Sequence, residues 1–396
     1  MSTPALVIVG AGLAGWTTAR EFRRLDTSTP VVLVTADSGD FYAKPTLSNA
    51  CAQKRLAEQL VTTPAAKMAE ALNVRLLAQS QMQAVDAAAH CLKVTHADGS
   101  SESLTYRQLV LATGAHPIKV PMQGAAAAQV QSINQLTDLA QFQQALGASP
   151  KTVLVMGAGL IGCEFANDLV LGGHTVHVVD PATRPLTALL PPAASEQLQA
   201  ALLALGVVWH LGTTIQSLNP RADGNGLSAT LANGHALSAD LVLGAVGLRA
   251  DTAVAHAAGL RCERGVVVDE LLHTSAPDIF ALGDCAQYAS AGGRTLPYVM
   301  PIMNAARALA TTLAGTPTNL VFPLMPVSIK TPAWPIVVAA PDPRITGGWI
   351  AEDLDAEAAQ AGGAWRFMDA EGQQRGFVLT GKQSTRRMEL SKTTVL

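Results

Sequence analysis

Two glycine clusters in this chain can do chemistry that other residues cannot. Gly10, Gly12 and Gly15 follow the apolar run at 6–9, and Gly157, Gly159 and Gly162 follow the apolar run at 153–156. In such a turn the first glycine permits the tight bend. The second lets a pyrophosphate approach the backbone, and the third lets helix and strand pack closely. A helix N-terminus behind the turn offers oriented N–H groups and a partial positive charge to the phosphates. One such pattern is weak evidence; two in one chain, each between an apolar run and a helical stretch, point to two dinucleotide sites. An acid at the end of the next strand is then expected on the adenine ribose. Asp180 stands there in the second unit, and its charge opposes a 2′-phosphate, favouring NADH. Arg184, close by, is the alternative, a partner for the phosphate of NADPH. In the first unit Asp37 lies beyond the strand, so a ribose role competes with an ordinary surface loop.

The elements that must hold these residues are also legible. Helical stretches are expected at 16–25 and 163–171, followed by β-branched runs at Val31–Val34 and 175–179, which is βαβ punctuation twice. A repeat spaced 147 residues, from Gly10 to Gly157, is too long for a solenoid and reads as domain duplication. LVLATG at 109–114 is an apolar strand ending at Thr113 and Gly114, and LVLGAVG at 241–247 repeats that shape, ending at Gly247. Residues 124–131, after Pro117 and Pro121, read as a linker. Beyond residue 316 come prolines, strands at Val327–Ile329, Ile336–Ala339 and 375–380, and an Ala/Glu helix near 353–361. The expected fold class is α/β: two Rossmann-like dinucleotide-binding domains plus a small α+β C-terminal domain. The first domain takes residues 1–115 and 240–315, the second 116–239, and the third 316–396.

Composition removes other classes. With 396 residues, 49% of them hydrophobic and 14% charged, the chain is not disordered. A net charge of -3 and 4% aromatics speak against a nucleic-acid partner. The uncharged stretch 308–329 is long enough to span a bilayer, but its prolines and Asn319 read as a helix end, a loop and a strand, so no membrane insertion is expected. The five cysteines are unpaired by spacing, which fits a cytoplasmic location. His174 and His177 fall on opposite faces of an expected strand and make no metal pair, and no metal site is expected.

TSAPDIFALGD at 274–284 brings a resemblance into view. It is similar along its length to the second FAD fingerprint of the two-dinucleotide-binding flavoproteins, which include glutathione reductase and ferredoxin reductases. The resemblance implies FAD and NADH as cofactors, with Asp284 on the ribityl chain. Disulfide reductases of this family carry a CxxxxC pair after the first βαβ unit. Here that region reads FYAKPTLS at 41–48, with Cys51 alone, a peroxidase-type sulfenic cysteine or, by the commoner reading, a buried small residue. Electrons must then pass straight from the flavin to an external acceptor. YAKPTLS at 42–48, GAGLIGCEFAND at 157–168, ALGDCA at 281–286 and VSIKTP at 327–332 resemble the bacterial rubredoxin–NAD(+) reductases and the related flavorubredoxin reductases.

That resemblance implies an FAD enzyme taking hydride from NADH and passing single electrons to rubredoxin; a ferredoxin reductase, an NADH oxidase and a redox-sensing scaffold are the alternatives. It also implies the site. Lys44 is expected near flavin N5, partnered by Glu164. Lys330 points toward the flavin O2 region or snorkels to water. Val299 and Met300 turn backbone N–H groups to the pyrimidine edge. Leu13, Ala14, Thr35, Pro45 and Val85 complete the expected cofactor contacts. The C-terminal stretch 375–396 holds Arg375, Lys382, Arg386, Arg387 and Lys392 against Glu389, a docking face for an acidic protein or a solvated tail.

Overall fold

A computed structural model describes residues 4–396. The chain divides into two compact units, residues 1–44, 61–116 and 248–322 in one, and 45–60, 117–247 and 323–396 in the other.

The first unit is built on a parallel sheet in the order Val74–Leu77, Val31–Val34, Ala5–Val9 and Ser101–Leu111. Ala5–Val9, Val31–Val34 and the last three residues of Ser101–Leu111 are continuous buried apolar runs, as befits parallel strands covered on both faces. Ser101–Leu111 changes partners along its length. Its first half pairs antiparallel with Cys91–His96, and its second half runs parallel to both Ala5–Val9 and Ile279–Ala281. The helix Leu13–Leu25 starts directly after Gly12, three residues before the sequence pattern alone places it, and buries Trp16, Ala19 and Phe22. The helix Val299–Leu313 takes Pro301 in its first turn, where a missing N–H costs nothing. Thr17 meets Met303 at 3.7 Å where these two helices pack.

The second unit repeats the plan. Its parallel sheet runs Val207–Leu211, Thr175–Asp180, Thr152–Met156, Leu241–Gly244, with the helix Leu160–Leu171 behind the glycine turn. Leu241–Gly244 pairs with Thr152–Met156, and residues 240–247, expected in the first domain, fall in the second unit. The expected linker at 124–131 is docked: Ala126 is fully buried, and a Cβ on Gly124 would lie 2.1 Å from the Leu218 carbonyl oxygen.

The C-terminal residues form a five-stranded antiparallel sheet ordered Val327–Ile329, Ile336–Ala339, Gln374–Thr380, Ala364–Asp369, Gly347–Ala351. One face of it, through Ile329, Ile336, Trp365 and Val378, joins the core around Leu169, Leu198 and Leu202. The expected third domain is therefore continuous with the second unit by burial. Residues 45–60 also join that unit, which gives the Lys44–Asn49 turn of 3-10 helix its importance.

Candidate dinucleotide and electron-transfer sites

The two glycine turns have matching geometry. The N–H of Gly10 donates to Val34 O at 2.7 Å, and that of Gly157 to Val179 O at 2.8 Å. Both have φ above +100°, where an L side chain is strained. A Cβ on Gly15 would sit 1.8 Å from Gly10 O, and one on Gly162 1.9 Å from Gly157 O. These glycines are spent on packing helix against strand. Gly12 and Gly159, in contrast, have open space on the side where a Cβ would stand. Each precedes a helix with no acidic residue in its first turn and no side-chain cap. Two uncapped helix N-termini behind open glycines suit two pyrophosphates. Leu13 and Ala14 open the first of these helices.

Around the first turn, Asp37 Oδ1 accepts from Thr35 Oγ1 at 2.6 Å and from Gly39 N at 2.9 Å. Its carboxylate shapes its own loop. Thr113 donates its hydroxyl to Asp251 O at 3.0 Å, and Gly114 takes a positive φ that re-aims the chain. Val85 is buried in the core of this unit. Asp284 follows Gly283 at the start of a 3-10 turn, and Lys44 Nζ lies 3.8 Å from its Oδ2. Burial pushes the Asp284 pKa up, and Lys44 pulls it down. Among the described residues no hydrogen bond is donated to its carboxylate, so a sugar hydroxyl has an acceptor waiting there. The residues present fit FAD. Val299 opens its helix exposed, with a first turn free of carboxylates.

In the second unit Asp180 accepts the N–H of Ala158 at 2.6 Å through Oδ2 and that of Ala182 at 2.7 Å through Oδ1. Asp180 thus ties the glycine turn to the loop after its own strand, a role the ribose expectation did not include. Among the described residues Arg184 Nε is buried without a hydrogen-bond partner. Substituting Asp180 with alanine frees the loop and removes the charge that opposes a 2′-phosphate. The KM for NADH is expected to rise, and the NADH-over-NADPH preference to fall by roughly tenfold, the scale of one charge-assisted contact. Unchanged selectivity in steady-state assays with both nucleotides would remove Asp180 from cofactor choice.

A second polar centre lies wholly within this unit. Glu164, on the Leu160–Leu171 helix, is fully buried. Its Oε1 accepts the N–H of Lys330 at 2.9 Å, and its Oε2 accepts Ser48 Oγ at 2.7 Å and the Lys330 ammonium. Lys330 Nζ also reaches Ser48 Oγ at 3.1 Å. The sequence reading gave Glu164 to Lys44; the cation bonded to it within this unit is Lys330, and Lys44 in the other unit faces Asp284. Three of the four motifs that carried the resemblance meet here. Sequence reasoning did not single out Ser48, Asn167 or Asp168, although all three stand inside those motifs. Cys51 lies just beyond Ser48, half-buried, with its thiol pushed up to about 11 by burial and by Asp168. Too little thiolate forms near neutral pH for a sulfenic cycle.

Two other features differ from expectation. His174 precedes its strand and accepts the Lys151 N–H. His177 Nδ1 meets His210 Nε2 at 3.0 Å across neighbouring strands, so one ring carries a proton toward the other. Among the described residues no group of three or more His, Cys, Asp or Glu is placed to hold a metal, and no helix is long and apolar enough to cross a membrane.

Two glycine-turn Rossmann units with a flavin-type Gly-Asp motif define a pyridine-nucleotide flavoprotein reductase. Residues 4–310 match the pyridine nucleotide-disulphide oxidoreductase family, and the chain belongs to it. Residues 319–394 match the rubredoxin binding C-terminal domain. The chain is 40% identical to the rubredoxin-NAD(+) reductase of Acinetobacter baylyi over 98% of its own length and 97% of the relative's. It is 42% identical to the enzyme of that name from Alcanivorax borkumensis, over the same shares. Among solved structures it resembles a ferredoxin reductase from Rhodopseudomonas palustris, with a TM-score of 0.87 and 25% identity, covering 100% of this chain and 96% of that one.

Proposed function

We infer that this protein is an FAD-dependent reductase that oxidises NADH and passes electrons one at a time to rubredoxin. The observation that carries the acceptor is the rubredoxin binding domain at residues 319–394, joined to a complete two-nucleotide reductase. The chemistry FAD supplies when bound is acceptance of a hydride and release of its two electrons singly. The chain's own residues do the rest. The open glycines and bare helix N-termini hold the two pyrophosphates, and Asp284 accepts from the flavin's sugar chain. Lys44 and Lys330 supply positive charge for the reduced flavin, each oriented by a carboxylate. All five cysteines are free, which supports direct electron exit and a cytoplasmic setting.

Stopped-flow mixing tests this reading. NADH should reduce the bound flavin faster than NADPH does, and rubredoxin should reoxidise it. Rapid reoxidation by a [2Fe–2S] ferredoxin or by oxygen, but not by rubredoxin, would overturn it.

The tail carries a further test. Residues 381–393 are not a loose tail but a 3-10 turn and a helix. Arg386 is tied to Glu389 and Glu352, and Arg375 to Asp369. Lys382 and Lys392 are exposed and, among the described residues, ion-pair with no acid, so they are the charges available to an acidic partner. Reversing both to glutamate is expected to slow rubredoxin reduction by roughly tenfold at low salt, with the difference vanishing at high salt. If the rate and its salt slope stay put, docking lies elsewhere.

A further inference from the structure

Glu164 and Asp168 stand one turn apart on the Leu160–Leu171 helix, so their carboxylates share a face. Lys330 answers Glu164, but among the described residues no cation is bonded to Asp168. Its side chain is held by backbone alone: Oδ2 accepts the N–H of Cys51 at 3.0 Å, and Oδ1 accepts the N–H of Ala52 at 2.9 Å. Beside it, Asn167 Oδ1 accepts the N–H of Ala333 at 3.1 Å. Asp168 is 4% exposed, and burying a carboxylate is costly. An amide or a water could satisfy one peptide N–H at less cost. A charged oxygen pair on two consecutive N–H groups holds a segment more firmly than either.

The segment held is irregular. It directly follows the 3-10 turn Lys44–Asn49, and that turn carries Ser48, which bonds Glu164. Resting on the function proposed above, we propose that Asp168 is a positioning residue for hydride transfer. It grips the peptides of Cys51 and Ala52 and so fixes the segment that bears Ser48 and, at its start, Pro45 and Lys44.

The grip depends on ionisation. Burial pushes the Asp168 pKa up to about 6, while the two N–H groups and Lys330 pull it down and Glu164 raises it. The titratable groups facing it are Glu164 on its own helix, Lys330, and the Cys51 thiol, whose own pKa lies far above this range. Above about pH 6 the carboxylate accepts both N–H groups. Below it, the hydroxyl proton displaces one of them. Stability moves the other way: a carboxyl whose folded pKa exceeds its unfolded value takes up a proton more readily when folded, so acid favours the fold through this group. The signature is therefore a rate lost in mild acid without a loss of folded protein.

The test is the stopped-flow rate of flavin reduction by NADH in the FAD-loaded enzyme from pH 5 to 8, beside its melting temperature. The wild type should slow by roughly tenfold on acidification, with a midpoint near 6 and no matching fall in Tm. Asp168→Asn, which keeps one acceptor and turns an NH2 toward the other N–H, should be slow and flat. Asp168→Glu should restore a titration. A flat wild-type profile, or the same midpoint in Asp168→Asn, would overturn the proposal, and the first needs no variant to fold. Failure of NADH to reduce the wild-type flavin at any pH would instead overturn the assigned function.

Discussion

Lys330→Met is expected to destabilise the protein by about 3 kcal/mol, the scale seen when one partner of a buried ion pair is removed. Glu164 is fully buried and Lys330 about a quarter exposed, so the substitution strands the carboxylate rather than the ammonium. Ser48 Oγ and the Lys330 N–H remain as donors to Glu164, and two neutral hydrogen bonds do not replace a charge. The double substitution Lys330→Met with Glu164→Leu removes both charges and should recover most of the loss, because a buried pair and an apolar filling of similar volume are often close in stability. Urea unfolding of the FAD-loaded protein measures both. A double variant no more stable than Lys330→Met would show that the pair itself, and not the stranded charge, carries the energy. On the role proposed for Lys330, flavin reduction by NADH should slow in both variants.

A second contrast uses the glycines. Gly15→Ala pushes a methyl to within 1.8 Å of Gly10 O, so helix and strand must separate and the first unit should lose both stability and FAD. Gly12→Ala and Gly159→Ala meet no protein atom within 4 Å. Neither should alter the melting temperature of the cofactor-free protein. Gly12→Ala should weaken FAD retention by about a hundredfold, while Gly159→Ala should keep its flavin and raise the KM for NADH by a comparable factor, the scale of an ångström's misplacement. Flavin absorbance after gel filtration, with NADH kinetics, separates the two. If Gly159→Ala loses flavin and keeps its KM, the assignment of the two turns is reversed.

These contrasts also show where sequence reasoning stops. The glycine turns, their strands and the Gly-Asp motif are local: each is set by a residue type at a fixed offset from a turn, so adjacent letters suffice. Strands such as Val31–Val34, Val327–Ile329 and Ile336–Ala339 fall where their β-branched runs place them. Helix starts are less legible, because an uncapped N-terminus behind glycine carries no Ser, Thr or Asp signal. The tail's basic residues read as one cluster, yet Arg386 is consumed by Glu352, 34 residues away, and only a fold can bring that acid near.

The Glu164 centre is the clearest case. Ser48, Glu164 and Lys330 are each visible as motif residues, but 116 and 166 residues separate Glu164 from its two partners. Which cation answers a buried carboxylate is a matter of packing. The C-terminal sheet docks through Ile329 and Ile336 onto the core that also holds Leu169, and this carries Lys330 to Glu164. The sequence by itself determined that two dinucleotide-binding turns are present and that no CxxxxC cysteine pair follows the first of them. Tertiary structure decided that Lys330 and Ser48 meet at Glu164, since local spacing encodes turns and periodicity, whereas charge pairing across a core is set by which surfaces bury one another.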